Sequence, residues 1–537
     1  MKKTLLLFGI SVLLVNCGTS SKRSTAAVQM NEAEQIDPTI YATTITSDEL
    51  KDLLYTYASD EFEGRNTGEK GQKLAVAYLK DQYKSMGIST PLGNDDYFQE
   101  VPLEKQGVAE AKISVNGTPF QSFDDHIVLR ASGNVNISED DMVYVGYGID
   151  ADNYSDYKDI DVEGKIVLAK AGEPKDAEGN YITTGSKENT KWTNGRQSLS
   201  SKRDAARDNG AKSLIYVDDY LFQRYAPYYQ RQAAAGVSGR LSLKSNEQDM
   251  MMLMVSETLG KALHSQLLED ETPKVLNTNM DLSIENTSEL VSSENVLAYI
   301  KGTEHPDEVI VISAHLDHEG IKNGEIYNGA DDDGSGTVAV VEIAEAFKLA
   351  EKDGHGPKRS MLFLHVTGEE KGLLGSKHYT DIDPIFPLEH TVANLNIDMI
   401  GRTDPKREEG DRNYVYLIGS DKLSTELHNI SEAVNMKYCN VELDYTYNDD
   451  NDPNRFYYRS DHYNFAKNNI PVIFYFNGTH DDYHRPSDTP DKIEYDLLEN
   501  RARLVFHTAW ELANRKERIK VDKSFGNTKT MGYKTNK

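Results

Sequence analysis

Glu308-Val309-Ile310-Val311-Ile312-Ser313-Ala314-His315-Leu316-Asp317 runs from a short apolar stretch straight into a histidine and an acid. Glu308 to Ser313 is bounded by turns and apolar from Val309 to Ile312, the texture of a strand buried on both faces of a parallel sheet. The loop Asn328-Gly329-Ala330-Asp331-Asp332-Asp333-Gly334-Ser335-Gly336 then opens a helical stretch from Thr337 to Leu349. The strand texture returns at Ser360 to Thr367, Thr391 to Ile397 and Pro471 to Phe476. Strands alternating with helices predict an α/β unit with a mostly parallel central sheet flanked by helices, from about 290 to 515.

Upstream, Leu50, Leu53, Leu54 and Tyr57 fall at helical spacing behind the capping candidates Ser47 and Asp48. A second helix carrying Leu74, Ala77, Tyr78 and Met86 follows the turn Glu63-Gly64-Arg65-Asn66-Thr67-Gly68 and stops at Gly87. Between about 110 and 288 the pattern changes to short strands and turns, for example Met142 to Ile149 and Ser213 to Val217. This predicts a separate β-rich unit, residues 111–289, inserted into a discontinuous domain made of 45–110 and 290–515.

The chain of 537 residues exceeds what one hydrophobic core usually serves, so two domains are expected. A net charge of −28 argues against a nucleic-acid partner, because neutralising phosphates requires a basic face. Lys2 and Lys3 precede the apolar run Leu5 to Val15, long enough for an export signal and too short to span a bilayer. The expectation is a signal peptide over 1–16, a flexible tether over 17–44 and a frayed basic tail over 516–537. Cys439 is the one cysteine besides Cys17, so no disulfide framework is expected once the leader is processed, and Cys439 reads as a packing residue.

Each of the four strands runs into a residue able to bind metal: His315 after the first, Glu369 and Glu370 after the second, Asp398 after the third, and His484 beyond the fourth. Asp331, Asp332 and Asp333 sit on the loop between the first strand and its helix. Open α/β sheets gather their ligand sites at the carboxyl ends of their strands. Imidazole with carboxylate suits zinc, and five donors exceed one tetrahedral site with an open position. Two ions sharing a bridging carboxylate satisfy the count.

These residues resemble a known family. His315-Leu316-Asp317, the Asn328 to Gly336 loop, Gly368-Glu369-Glu370, Asn396-Ile397-Asp398-Met399 and Tyr483-His484-Arg485-Pro486-Ser487-Asp488-Thr489, with Asp60 to Arg65 upstream, are similar to the M28 zinc aminopeptidases. The resemblance implies a zinc-exopeptidase fold and two Zn2+ per chain. His315 and Glu370 are expected to complete one site, Asp398 and His484 the other, with Asp332 bridging. It further implies Glu369 as general base and a cis peptide at Asp332-Asp333. Asp317 is expected to accept the second ring N–H of His315. The 111–289 insert resembles a protease-associated domain, expected to flank the site and restrict folded substrates. Leu14-Val15-Asn16-Cys17 resembles a lipobox, apart from Asn16, which implies lipid attachment at Cys17, an exported location and membrane contact only through that lipid; ordinary cleavage to a periplasmic or secreted product is the alternative.

His318 has no role in the family pattern, and His365, inside an apolar run, reads as core. Tyr447, Arg455, Tyr457, Tyr458 and Asp461 are candidates for shaping the substrate pocket. The expected reaction is hydrolysis of N-terminal peptide bonds of oligopeptides. Carboxypeptidases and dipeptidases share such a centre, and Arg455 or Arg459 in the pocket favours one that binds a carboxylate. Another amide hydrolase on the same metal centre is a further alternative, while a single-zinc glutaminyl cyclase and a catalytically dead receptor of the same fold are weaker ones, since every ligand position and Glu369 are present.

Overall fold

The computed structural model describes residues 36–524, apart from 106, 132, 235, 237–240, 245–249 and 286–287. The expected signal peptide, Cys17 and the first part of the tether lie outside the described residues. Among the described residues, no helix is long and apolar enough to cross a membrane.

A nine-stranded sheet forms the larger unit. Its centre is parallel: Arg359–Val366, His305–His315, Thr391–Ile397 and Val472–Phe476 lie side by side in that order. All four expected strands are therefore present. Antiparallel strands flank them, Glu289–Ile300 and Phe98–Lys105 on one side and Tyr414–Ile418 on the other. The central strands are buried almost throughout, which explains their unbroken apolar runs. Helices Ser47–Tyr57, Lys70–Met86, Gly336–Lys352 and Tyr495–Asn514 supply apolar side chains to the main core, joined there by Ile310, Ile312, Leu395 and Ile473 of the sheet. A second core, with Val309, Val311, Leu362, Leu364, Tyr379 and Phe465, includes the alternate residues of the same strands.

Two helix ends show how local sequence sets these elements. Thr46, rather than Ser47 or Asp48, caps the first helix by accepting the Glu49 N–H. Lys70–Met86 ends where Gly87 adopts a left-handed φ of 75°, a conformation that costs glycine nothing.

An eight-stranded sheet occupies residues 110–285, running Thr118–Phe120, Glu110–Val115, Lys274–Glu285, Val135–Tyr144, Ile166–Lys170, Ser213–Val217, Met251–Val255 and His126–Arg130. It has apolar clusters of its own. Within this stretch Asp150–Ala151 and Tyr154–Ser155 form a small hairpin of their own, and Leu241–Leu243 pairs with Phe98–Lys105 and forms the outer edge of the nine-stranded sheet.

Both terminal expectations need correcting. Part of the expected tether packs, because Thr39–Ala42 is helical and Tyr41, 3% exposed, stacks on Trp510. The start of the expected tail also docks: Ile519 is buried and Arg518 donates to Glu389 O and Thr391 O. In each case a distant partner, invisible to local composition, fixes the segment.

Candidate metal centre and active site

The parallel register brings the four strand ends to one edge of the sheet, and the sequence-predicted residues meet there. His315 Nε2 lies 3.2 Å from Asp332 Oδ1 and 3.7 Å from Asp398 Oδ1. His484 Nε2 lies 3.0 Å from Asp332 Oδ2 and 3.1 Å from Glu370 Oε1. Asp332 thus stands between two groups, His315 with Asp398 and His484 with Glu370. This corrects the expected partition, which joined His315 to Glu370 and Asp398 to His484. Which ends cluster depends on how the loops beyond the strands return, and sequence spacing does not report that.

His318, given no role from sequence, belongs to the second group: its Nδ1 is 3.1 Å from Glu370 Oε1 and 3.7 Å from Asp332 Oδ2. Glu319 also reaches Glu370 and His484, but it carries an ion pair with Lys322.

The donors are fixed from behind. His315 Nδ1 lies 3.0 Å from the backbone carbonyl of Asp317, which accepts its N–H and turns Nε2 toward the carboxylates. The Asp317 carboxylate stands 3.9 Å away and does not serve His315 as expected. Instead Oδ1 accepts the Glu369 N–H at 3.1 Å and Oδ2 accepts the Thr67 hydroxyl at 2.7 Å. Those two donors, on the neighbouring turn and helix entry, draw the carboxylate away from the ring. Asp398 Oδ2 accepts from Ser460, leaving Oδ1 toward His315. The Asp331 and Asp332 N–H groups both donate to the Asp488 carboxylate. Asp333 accepts from the backbone of His315, Gly336 and Met399. The Asp332-Asp333 peptide is cis, as the resemblance implied. Arg65, 1% exposed, donates to the carbonyls of Tyr57, Leu316, Asn328 and Gly329 and ties the Asp60–Arg65 turn to this loop.

The donor chemistry fits metal. His315 Nε2, Asp332 Oδ2, His318 Nδ1 and Glu370 Oε1 are buried and have no hydrogen-bond partner, although they crowd together. Buried polar atoms are normally satisfied, so lone pairs aimed at a shared point indicate a cation. Burial opposes charge on His484, yet the Asp332 and Glu370 carboxylates push it up to about 10. Burial raises Glu370 too, but the histidines outweigh that and bring it to about 2. Glu369 behaves differently: burial, reinforced by Glu370, Asp398 and Asp461, raises its carboxyl well above the ordinary range.

Beside the donors is a cavity lined by Asp332, Glu369 and Asp398 and by the apolar Met399, Phe456, Phe474, Phe476 and Tyr483, with Thr479 and Arg459 completing it. None of Arg455, Tyr457, Tyr458 and Asp461 is among these lining residues. Asp461 is wholly buried against Ser376, and the Arg455 guanidinium lies over the Tyr458 ring at 4.8 Å. Phe456–Tyr458 form a 3-10 turn, whose i and i+3 positions share a side. Phe456 and Arg459 therefore point together; of the two arginines that sequence offers, the turn brings Arg459 and not Arg455 to the cavity, and its phase, hidden in sequence, adds Phe456. Tyr447 packs behind Phe456, and His365 is buried in the core, hydrogen-bonded to Tyr83 at 2.6 Å.

Residues 295–509 match peptidase family M28. A probable leucine aminopeptidase 2 of Aspergillus oryzae is 23% identical over 354 residues, 66% of this chain and 58% of the fungal one. Aminopeptidase YwaD of Bacillus subtilis is 32% identical over 150 residues, 25% of this chain and 30% of its own. The chain thus spans less than two thirds of either relative. Among solved structures, an aminopeptidase from Aneurinibacillus sp. strain AM-1 aligns at TM-score 0.44 and 18% identity, over 90% of this chain and 98% of that one. A zinc aminopeptidase from Bacillus subtilis aligns at TM-score 0.44 and 17% identity, over 89% and 97%.

Proposed function

We infer that residues 295–509, which belong to peptidase family M28, form the catalytic unit of a di-zinc exopeptidase that hydrolyses N-terminal peptide bonds of oligopeptides. The observation that carries this reading is the set of buried, unpartnered donor atoms converging beside Glu369, next to a cavity that Asp332, Glu369 and Asp398 line together with Phe456, Phe474 and Phe476. His315, Asp332 and Asp398 would hold one ion, and Asp332, Glu370 and His484 the other. When bound, such a pair acidifies water and polarises the substrate carbonyl.

Glu369 is the proton carrier. Its carboxylate takes a proton from the attacking water, becoming the carboxylic acid, and returns that proton to the departing amine. Asp317 fixes the backbone from which Glu369 projects. Phe456, Phe474, Phe476 and Tyr483 supply an apolar wall for the side chain of the substrate's first residue and keep bulk water from the reacting carbonyl. Arg459 on the same cavity favours a second reading, a carboxypeptidase or dipeptidase in which this guanidinium pairs with a substrate carboxylate. An exported protein anchored through a lipid on Cys17, and a protease-associated role for the 111–289 insert, belong to the same proposal and rest on the sequence resemblance.

The test is zinc content of the mature chain alongside hydrolysis of amino-acid p-nitroanilides and of N-blocked dipeptides, each with and without chelator. Two ions and chelator-sensitive release from the free-amine substrates support the aminopeptidase. Preference for N-blocked dipeptides, abolished in Arg459→Met, establishes the second reading instead. Glu369→Gln should keep both ions while losing activity by about 10²–10⁴-fold; loss of the ions would show that Glu369 is a ligand and not the base.

A further inference from the structure

We propose that His318 is an additional protein ligand to the metal position formed by Asp332, Glu370 and His484, making the two positions unequal. This rests on the di-metal reading above. One position then has four protein donors, the other only His315, Asp332 and Asp398.

His318 is 0% exposed, and neither of its ring nitrogens has a hydrogen-bond partner. Its Nδ1 approaches Glu370 Oε1 to 3.1 Å and Asp332 Oδ2 to 3.7 Å, yet neither contact has hydrogen-bonding geometry. Donor atoms around a tetrahedral zinc, each about 2.0–2.1 Å from the ion, stand roughly 3.3–3.5 Å from one another. The spacing here brackets that value. Lone pairs that face one another without a shared proton are arranged for a cation between them.

The ring is held there by the fold. The His318 N–H donates to Arg65 O, and the residue forms a bridge with Asn66. Its ring presses on Gly329, where a Cβ would come within 2.5 Å of His318 Cγ, and the His484 ring stands edge-on to it at 5.7 Å. Space for this imidazole is thus provided by a glycine on the same loop that carries Asp332.

The inequality has a chemical consequence. A four-donor position is closed in the manner of structural zinc, whereas a three-donor position keeps a place for water or substrate. The ion beside His315 is then the exchangeable one that meets substrate, and the ion beside His318 is the retained one.

X-ray absorption on the full mature chain loaded with zinc tests this without any substitution, since imidazole scattering counts histidine ligands. Three imidazoles shared by two ions are expected. Two imidazoles for two ions would overturn the assignment of His318 while leaving the di-metal reading intact; fewer than two bound ions would remove both. Chelator competition on His318→Ala and His318→Phe, with circular dichroism to verify folding, gives the second readout. One of the two ions should be released at least about a hundredfold more readily. Retention of both ions with wild-type affinity would equally overturn the proposal.

Discussion

Arg65→Met tests whether the metal loop is held from below. The substitution keeps most of the side chain's length and removes the guanidinium that donates to Tyr57 O, Leu316 O, Asn328 O and Gly329 O. Leu316 O retains the Tyr57 hydroxyl and Gly329 O retains the Gly334 N–H. Tyr57 O and Asn328 O lose the donor that Arg65 supplies. A buried carbonyl left unsatisfied costs about 1–3 kcal/mol, so the pair predicts a loss of roughly 2–6 kcal/mol. The loss should be local, because all four carbonyls border the 316–335 region. The assay is amide hydrogen exchange of peptides covering 57–66 and 326–336, run beside zinc titration. Faster exchange there and weaker metal binding are expected, with exchange in the 110–285 sheet unchanged. Wild-type exchange across 326–336 together with unchanged zinc affinity would refute the view that Arg65 organises the loop.

Substitutions at two further positions separate the remaining physical claims. Glu342 is 3% exposed, and burial, then Glu49 and Glu345, raises its pKa to about 8. The folded chain therefore binds this proton more tightly than the unfolded one, and stability is lost as pH climbs from the unfolded value through 8. Glu342→Gln should change little at pH 5 and gain roughly 2–4 kcal/mol at pH 9, read from thermal midpoints at both pH values; equal midpoints at pH 9 would contradict the burial argument. Asp317→Asn retains an acceptor for the Glu369 N–H and should keep metal affinity and most activity, whereas Asp317→Ala should lower kcat about 10–100-fold at near-normal zinc content. A large drop in zinc affinity in the Asn variant would mean that the carboxylate, not the backbone carbonyl, orients His315.

The strands that carry the site were legible because parallel strands buried on both faces read as continuous apolar runs, and reactive residues stand immediately beyond them. His315, Asp332, Glu370, Asp398 and His484 accordingly meet in space as their positions suggested. Their partition was not legible, because it depends on how loops beyond the strand ends turn inward. His318 was missed since its neighbours in sequence say nothing of Glu370, which arrives from another strand. The pocket candidates divide on phase: Arg459, which sequence offers beside Arg455, lines the cavity with Phe456, while Tyr457 and Tyr458 are not among its lining residues. A carboxylate two residues beyond a histidine looked like its natural partner, but the backbone of that same residue reaches the ring first.

The strand Leu241–Leu243 has a bearing on how the two sheets can be separated, in the laboratory or in descent. The nine-stranded sheet borrows its outermost ribbon from the stretch that otherwise builds the eight-stranded one. Excising residues 135–255 would also strip that ribbon and leave Leu103 to Lys105 with an unpaired backbone rim, an invitation to stick to other chains. A version of the chain without residues 135–255 would need a substitute hem before its behaviour could be compared with that of the whole.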